Sequence, residues 1–351
     1  MLSRDTVFVV GAGASFELGL PLGESLREEI AALVDIRYDG FRPISGDDQI
    51  NHYLREIAQE KSYPNINDLL HKCRLIRDAL PGSISIDNLL DAHRNDPDIA
   101  EIGKLAIAKA ILGAERRSKL YKPENEPGSF HLSSAAGTYL IPLFQILSEG
   151  VTKENVDSIF SNCSFVVFNY DRTLEYFLPK ALQRYYGLDT SSAENIVQSA
   201  TIIHPYGRVG EFGRGKSLES AAFGANRPNL RSIAAGIRTF SEGLADEGHA
   251  NAIDRLVSRS EQIIFLGFAF HPLNMEILNS KSAGFLDKVF GTTLNLSDAA
   301  VRSVEGIILQ TFGKESPNSG FTHPAPHELS ELNLEPRTAA DFLQAHFRGI
   351  A

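Results

Sequence analysis

Short runs of consecutive apolar residues recur along the chain with almost no polar alternation inside them. Thr6–Val10, for example, carries Val-Phe-Val-Val without a break. Runs of this length and character are typical of strands that are buried on both faces of a sheet. The strand-like runs are Thr6–Val10, Ser164–Phe168, Thr201–Ile203, Gln262–Leu266 and Thr292–Leu296.

Between these runs, apolar residues return with the spacing of a helix. In Gly23–Val34 the side chains of Leu26, Ile30 and Leu33 fall on one face. Strands that alternate with helices predict an α/β fold with a doubly wound parallel sheet, covered by helices on both sides. The other helical patterns in the strand-rich part are Arg172–Tyr186, His249–Ser260, Asn274–Ser280 and Asp298–Gln310.

Residues 38–150 have a different character, with helical patterns and few strand-like runs. The patterns are Ile66–Leu80, Ile99–Leu120 and Leu132–Leu147. We interpret this block as a helical insertion in an α/β domain made of residues 1–37 and 151–312. A polar C-terminal segment, 313–351, follows and ends in a short helical pattern. A stretch rich in Gly and Ser, 207–227, predicts a loop.

Composition narrows the function classes. The chain has 351 residues, of which 43% are hydrophobic, so it can bury a sizeable core. Its net charge of −10 and its lack of a dense basic run disfavour direct nucleic-acid binding. The only cysteines, Cys73 and Cys163, exclude a disulfide framework and a four-cysteine zinc ribbon. No histidine pair at i, i+4 has a nearby acid, so we expect no metal site.

The expected location is the cytoplasm. No apolar run reaches the length of about 18 residues that a membrane span requires. Met1–Asp5 lacks the basic start and the apolar stretch of a signal peptide. We therefore expect neither a membrane association nor secretion.

A glycine-rich turn follows the first strand-like run and precedes a helix. Gly11 allows a tight turn, and Gly13 lets a backbone approach a pyrophosphate. The next helix would direct its N–H groups at the phosphates, and the Ser15 hydroxyl can donate to one of them. The alternative is an ordinary strand-to-helix turn without a ligand. Phe16 replaces the third glycine of dehydrogenases, which disfavours hydride transfer. The segment reads Val9-Val10-Gly11-Ala12-Gly13-Ala14-Ser15.

Several segments, taken in order, resemble one known family. The glycine turn followed by Gly19-Leu20-Pro21 is similar to the opening motif of sirtuins and their bacterial relatives. The likeness covers roughly residues 5–35 and 160–300, and another similar segment, Ser85–Leu90, lies in the insertion. The chain thus resembles the bacterial sirtuin-like NAD-hydrolase family of the Sir-two type. The later segments are Phe168-Asn169-Tyr170-Asp171, Ile203-His204 with Tyr206-Gly207, and Phe265-Leu266-Gly267-Phe268 with Asn274.

Departures from the deacetylating sirtuins are specific. The chain cannot form their zinc ribbon, and Pro205 and Tyr206 separate the histidine from the glycine that directly follows it in them. Tyr170 stands where they have isoleucine, and Leu22-Gly23 replaces their Phe-Arg pair. The chain thus lacks the sequence features with which deacetylating sirtuins bind a peptide, whereas it keeps those with which they bind the dinucleotide. The resemblance therefore implies a sirtuin-like Rossmann fold that cleaves NAD rather than one that deacetylates proteins.

The resemblance also implies a cellular setting. Relatives with this profile are NAD-cleaving effectors of antiphage defence. They are often homo-oligomers or are paired with a second defence subunit such as a HerA-like ATPase. NAD is then the substrate, and no metal is expected.

Asn169 and His204 are the candidate catalytic residues, because NAD cleavage requires a held ribose and one placed water. The Asn169 amide can hold a ribose hydroxyl or the water. Histidine titrates near neutral pH, so His204 fits a general base. Each has a structural alternative, since Asn169 can cap the next helix and His204 can be a hydrogen-bonded loop residue.

The remaining candidates bind the dinucleotide. Asp171 can orient a neighbour or balance positive charge, although it also fits the N-cap of the next helix. Gly267 permits close passage of the chain near the adenosine end. Asn274 is either a ligand contact or a helix-start residue, and we interpret His271 as structural.

Three function classes stay open at this point. The first is NAD glycohydrolysis, which the glycine turn, Asn169 and His204 favour. The second is a non-catalytic NAD or ADP-ribose sensor, which the altered His204-Pro205-Tyr206 segment favours. The third is an assembly subunit whose Rossmann-like domain is a scaffold. A dehydrogenase ranks last.

Overall fold

A computed structural model describes residues 2–123, 130–211, 221–280, 285–312 and 329–351. Three short 3-10 turns accompany the strands and helices of these ranges. The strands are β1 (Thr6–Val10), β2 (Arg37–Asp39), β3 (Arg42–Ser45), β4 (Cys163–Val167), β5 (Thr201–Ile203), β6 (Gln262–Leu266), β7 (Lys288–Thr292) and β8 (Glu331–Glu335). The helices are α1 (Ala12–Phe16), α2 (Gly23–Val34), α3 (Asp48–Glu60), α4 (Asn67–Ala79), α5 (Ile86–Ala92), α6 (Pro97–Arg117), α7 (Leu140–Ser148), α8 (Thr173–Tyr186), α9 (Thr190–Ser199), α10 (Leu230–Ala234), α11 (Phe240–Ala245), α12 (Glu247–Arg259), α13 (Pro272–Leu278), α14 (Asp298–Phe312), α15 (Ala339–Ala345) and α16 (Phe347–Ile350).

Six strands form one parallel sheet in the order β5-β4-β1-β6-β7-β8. Numbered by their own succession along the chain, these strands stand in the order 3-2-1-4-5-6, which is the strand order of the Rossmann fold. The order reverses between β1 and β6. In open α/β sheets, ligands bind beyond the carboxyl ends of the strands at such a reversal.

Both faces of the sheet are covered, as the sequence predicts. Along β1, Phe8 and Val10 enter one core cluster while Val7 and Val9 enter another. The alternation follows from the two-residue period of a strand. The first cluster includes residues of α7, α8 and α15, and the second includes residues of α12, α13 and α14.

The helical insertion has a core of its own. It contains apolar residues of α3 to α6, with α6 running for 21 residues through its centre, and it also includes Ile30 and Val34 of α2, which precedes the predicted insertion. The core extends to Leu230, Ile233 and Phe240, which come after β5 in sequence. The last predicted insertion helix, α7, packs instead on the sheet, in the cluster that holds Phe8. Residues 230–240 and the insertion therefore share one apolar interior.

Several elements differ from the sequence prediction. The strand predicted at Thr292–Leu296 lies earlier, at β7, because Asn295 has a left-handed φ of +65° that ends the extended backbone. Likewise Gly137, with φ +70°, separates a 3-10 turn from α7, so the helix predicted from Leu132 begins at Leu140. The hairpin β2–β3 and strand β8 were not predicted.

Two predicted segments lie partly outside the described residues. These are positions 212–220 of the predicted 207–227 loop and positions 313–328 of the C-terminal segment. The described part of that segment contributes β8 to the sheet beside β7. Within the described ranges, no helix is both long enough and apolar enough to cross a bilayer.

Candidate functional site

The carboxyl ends of four neighbouring strands bring most of the predicted site residues together. Val10 at the end of β1 is in register with Val167 of β4 and Leu266 of β6. The residues that follow these strands therefore lie side by side. They are Gly11 directly after β1, Asn169 two residues after the end of β4, His204 directly after β5 and Gly267 directly after β6.

The turns that follow β1 and β6 are packed directly against each other. The Gly11 N–H donates to the carbonyl of Leu266 at 2.9 Å, and the Gly13 N–H donates to the carbonyl of Gly267 at 2.9 Å. A Cβ on Gly11 would lie 2.5 Å from the Gly267 carbonyl oxygen, and one on Gly13 would lie 2.9 Å from it. The close backbone contact by itself requires a glycine at both positions, and these two N–H groups have protein partners, while contact of Gly11 or Gly13 with a dinucleotide stays a prediction.

Of the three glycines Gly11, Gly13 and Gly267, Gly267 leaves the least space for a side chain. Its φ is +57°, in the left-handed region that favours glycine, and a Cβ there would lie 2.0 Å from the Ala14 nitrogen. Ala14 is buried while Ala12 is exposed at the rim. Contact of Ala12, Ala14 or Gly267 with a dinucleotide stays a prediction.

Asn169 and Ser15 form the centre of a buried polar network. The Asn169 Nδ2 donates to Ser15 Oγ at 2.9 Å, and both residues are more than nine-tenths buried. Ser15 is in turn hydrogen-bonded to the carboxylate of Asp171, which also accepts from the Thr173 backbone N–H at 3.1 Å. Burial raises the pKa of Asp171, although these two hydrogen bonds oppose the shift. Three predicted site residues, Ser15 after β1 and Asn169 and Asp171 after β4, are therefore joined by hydrogen bonds in one network.

Asp171 does not cap helix α8 as an N-cap residue. That position belongs to Arg172, and Asp171 lies one residue before it. The Asp171 carboxylate still satisfies the N–H of Thr173, the first residue of the helix. The residue thus combines a helix-start role with a place in the network around Asn169.

His204 has a hydrogen-bond acceptor at each ring nitrogen. Its Nδ1 lies 2.9 Å from the backbone carbonyl oxygen of Asn169, and its Nε2 lies 2.9 Å from Oε1 of Glu175. Burial opposes ionisation of Glu175, but the charge and hydrogen bond of His204 outweigh burial and lower its pKa. A backbone carbonyl can only accept, so Nδ1 donates to Asn169, while Nε2 is engaged with the carboxylate of Glu175. His204 is here a donor, and a general base needs one of these nitrogens to be free.

Glu175 is the site residue that sequence reasoning missed. It lies in the first turn of α8 and is 92% buried, since its exposure is 8%. Oε1 also faces Nη1 of Arg208 at 3.3 Å, whereas Oε2 is buried and has no hydrogen-bond partner among the described residues. The signal that could have found it is an acid one helical turn after Asp171, at the start of a helix that leaves the sheet edge.

A cleft of about 380 Å³ adjoins His204. Its size is within the range of small-molecule sites. Its charged lining is mostly basic, so it favours an anionic or hydroxyl-rich group. Besides His204, the lining includes Gly207, Arg208, Glu211, Ser232, Arg238 and His249.

Asn274 is linked to the site only through Tyr206. The Tyr206 hydroxyl donates to Asn274 Oδ1 at 2.7 Å, and the Tyr206 ring packs against Phe168, with 5.9 Å between ring centroids. His271 stacks on Phe240 at 5.6 Å, and its Nδ1 is buried with no hydrogen-bond partner in the described structure. Asn274 is thus a neighbour of the Asn169 network, with no described hydrogen bond to it.

Across the described ranges, no group of three or more His, Cys, Asp and Glu side chains could hold a metal ion. In comparisons with known proteins, no protein-family model matches the sequence, and no curated protein shows significant similarity to it.

Proposed function

We propose that this protein is an NAD glycohydrolase that cleaves the nicotinamide–ribose bond to give nicotinamide and ADP-ribose. The observation that carries the proposal is the buried network of Ser15, Asn169, Asp171, His204 and Glu175 at the carboxyl edge of the sheet. The sheet has the Rossmann strand order, and the network lies at the strand ends where such sheets bind nucleotides. The family resemblance of the motifs supports NAD as the ligand.

The charges of the network suit this reaction. The nicotinamide ring is cationic in NAD and leaves as a neutral molecule, while the transition state places positive charge on the ribose. The buried carboxylate of Glu175, whose pKa is lowered, favours such charge, since fixed opposite charges act strongly in a water-poor site. The Asn169 amide can orient the ribose or the attacking water. The unpartnered Oε2 of Glu175 is a further acceptor for a hydroxyl or a water.

The role of His204 requires one local change. To take a proton from a ribose hydroxyl or from water, the ring has to release either Glu175 or the Asn169 carbonyl. Hydrogen bonds of catalytic groups commonly rearrange when substrate enters, so the arrangement is compatible with a general base. Proton balance then closes: water supplies the hydroxyl of ADP-ribose, nicotinamide leaves as a neutral molecule, and the remaining proton goes to the released ring nitrogen of His204, which carries no hydrogen.

The experiment is an assay of the purified full chain with NAD, with nicotinamide and ADP-ribose separated by chromatography. We expect Asn169→Ala and His204→Ala each to lower the rate by at least about 100-fold, the scale of a lost general base. Matched controls are Asn95→Ala and His52→Ala, which remove exposed side chains far from the strand ends. Circular dichroism and thermal melts verify that all four variants fold. Full activity in both site variants would contradict the assignment.

A non-catalytic NAD or ADP-ribose sensor is the second candidate. The hydrogen bonds on both ring nitrogens of His204 favour it, because they leave no free base. Calorimetry that finds NAD binding without any turnover supports the sensor, and an absence of NAD binding refutes both candidates.

The cellular part of the proposal rests on the resemblance. It assigns the chain to antiphage defence in the cytoplasm, as a homo-oligomer or with a second subunit such as a HerA-like ATPase. A sedimentation profile of a monomer at all concentrations, together with unchanged cellular NAD during phage infection, would refute this part while leaving the enzymatic proposal to the assay above.

A further inference from the structure

A second cleft, of about 810 Å³, lies on the helical insertion between the hairpin β2–β3 and helices α3 and α4. We call it the arginine cleft. Four of its eleven lining residues are arginines, and none is acidic. The lining residues used below are Arg37, Tyr38, Phe41, Arg55, Asn67, Arg74 and Arg77.

Two of the four arginines, Arg37 and Arg77, are held in place by one carboxylate, that of Asp35. Asp35 Oδ2 lies 2.8 Å from Nη2 of Arg37, and Asp35 Oδ1 accepts from Nη1 of Arg77. Arg77 also pairs with the exposed Asp78. A guanidinium has five N–H donors, so these contacts fix both side chains and leave donors for another anion. Fixed donors bind an anion at a lower entropy cost than free ones.

The other two arginines have no ion pair with any described carboxylate. Arg55 donates through Nη2 to the Tyr38 hydroxyl at 3.3 Å, and its guanidinium carbon lies 6.0 Å from the centroid of that ring. Arg74 projects from α4 and is exposed. Among the described carboxylates, Asp35 and Asp78 are the ones that form ion pairs with these four arginines, which leaves about two positive charges without an ion-pair partner there.

These features select phosphate as the complementary group. Guanidinium forks match phosphate oxygens in a bidentate geometry, and several of them suit a group with more than one negative charge. The cleft has the size of a small-molecule site rather than of an extended groove. Phe41, at the rim, is fully exposed and offers an aromatic face on which a base can stack.

We propose that the arginine cleft binds a small organic polyphosphate of the nucleotide class. Its phosphates would contact Arg55, Arg74 and the two arginines that Asp35 holds, Arg37 and Arg77. This site is separate from the strand-end network and does not depend on NAD hydrolysis. A nucleic acid is the less favoured occupant, because the chain as a whole is strongly acidic.

The test is calorimetry of the full chain with inorganic tripolyphosphate and with metal-free ATP. We expect both probes to bind, and we expect Arg74→Glu and Arg55→Ala to weaken each of them about tenfold or more. The matched control is Arg94→Glu, which makes the same charge change at an exposed insertion residue outside the cleft. Asn169→Ala should bind both probes as the wild type does, which separates this site from the strand-end site.

Four outcomes would overturn the proposal. They are no binding of either probe, an equal loss in Arg94→Glu, a loss in Asn169→Ala, and tighter binding of a mixed-sequence single-stranded DNA that depends on Arg55 and Arg74. Because Arg74 is exposed and has no ion pair with the described carboxylates, its substitution leaves the fold intact, and a thermal melt verifies this.

Discussion

Substitution of Gly267 by alanine tests how tightly the turns after β1 and β6 fit together. Gly267 has a φ of +57°, and an added Cβ would lie 2.0 Å from the Ala14 nitrogen and 2.4 Å from the Gly13 carbonyl carbon. Real Cβ atoms do not approach backbone atoms so closely. Both neighbours are backbone, so no side-chain rotation can relieve the overlap.

The expected loss of stability has two parts. An L-residue in the left-handed region costs about 1–2 kcal/mol relative to glycine. Overpacking that forces backbone to shift costs about 1–3 kcal/mol more. Together they predict that Gly267→Ala lowers the free energy of unfolding by about 2–5 kcal/mol. A loss of this size is a large fraction of the stability of a typical domain.

Gly137→Ala is the matched control for the first part. Gly137 has a φ of +70°, but no atom lies within 4 Å of the position its Cβ would take. Its substitution should cost only the backbone part, about 1–2 kcal/mol. Guanidinium unfolding of both variants, analysed at equal m-values, gives the difference. An equal loss in Gly267→Ala and Gly137→Ala would refute the tight packing of the two turns.

Two further predictions concern the contacts between the site segment and the insertion. Arg172 and Glu115 are both fully buried and pair at 2.6 Å, so Arg172→Met or Glu115→Leu should lower the free energy of unfolding by about 3–5 kcal/mol, and the double variant Arg172→Met/Glu115→Leu by less than the sum. Additive losses in a double-mutant cycle would contradict this. Burial raises the pKa of Asp87 to about 6 against the opposing hydrogen bond from Tyr170, so the folded state holds that proton more tightly than the unfolded chain. The resulting stabilisation is complete below the unfolded pKa of about 3.9 and is lost as the pH rises through about 6, so Asp87→Asn should flatten the pH dependence of unfolding in that window. An unchanged slope would refute it.

The sheet was predictable because its central strands are uninterrupted apolar runs. β1, β5 and β6 begin and end where the sequence pattern places them. The edge strand β8 was missed although its residues, Glu-Leu-Asn-Leu-Glu, alternate polar and apolar as in a partly exposed strand, because the run is short and lies in a polar segment. Strand pairing at an edge depends on a partner that is distant in sequence, here β7, and local periodicity carries no signal of it.

The sequence predicted those site residues that follow the ends of predicted strands. Asn169 and His204 were expected to meet because residues that follow neighbouring parallel strands share one edge, and the His204 ring does contact the Asn169 carbonyl. The partner at the other ring nitrogen, Glu175, follows a helix turn rather than a strand end, so its proximity depends on the direction of α8. Gly11 and Gly13 show a second limit of prediction from sequence. The sequence indicates that a side chain is excluded at both positions, but it does not show that the backbone of the turn after β6 excludes it.

Successive residues from Asn169 to Arg172 contact the strand-end network and the helical insertion in alternation. Asn169 and Asp171 join the strand-end network through Ser15, whereas Tyr170 donates to Asp87 of α5 and Arg172 pairs with Glu115 of α6. Four consecutive residues thus contact the site and the insertion in turn. A displacement of α5 or α6 relative to the sheet therefore has to move Tyr170 or Arg172 and, through one peptide unit, Asn169 or Asp171. The buried Arg172–Glu115 ion pair thus joins α6 to the residue beside Asp171, and the Tyr170–Asp87 hydrogen bond joins α5 to the residue beside Asn169, so the insertion is in direct contact with the segment that we assign to the NAD site.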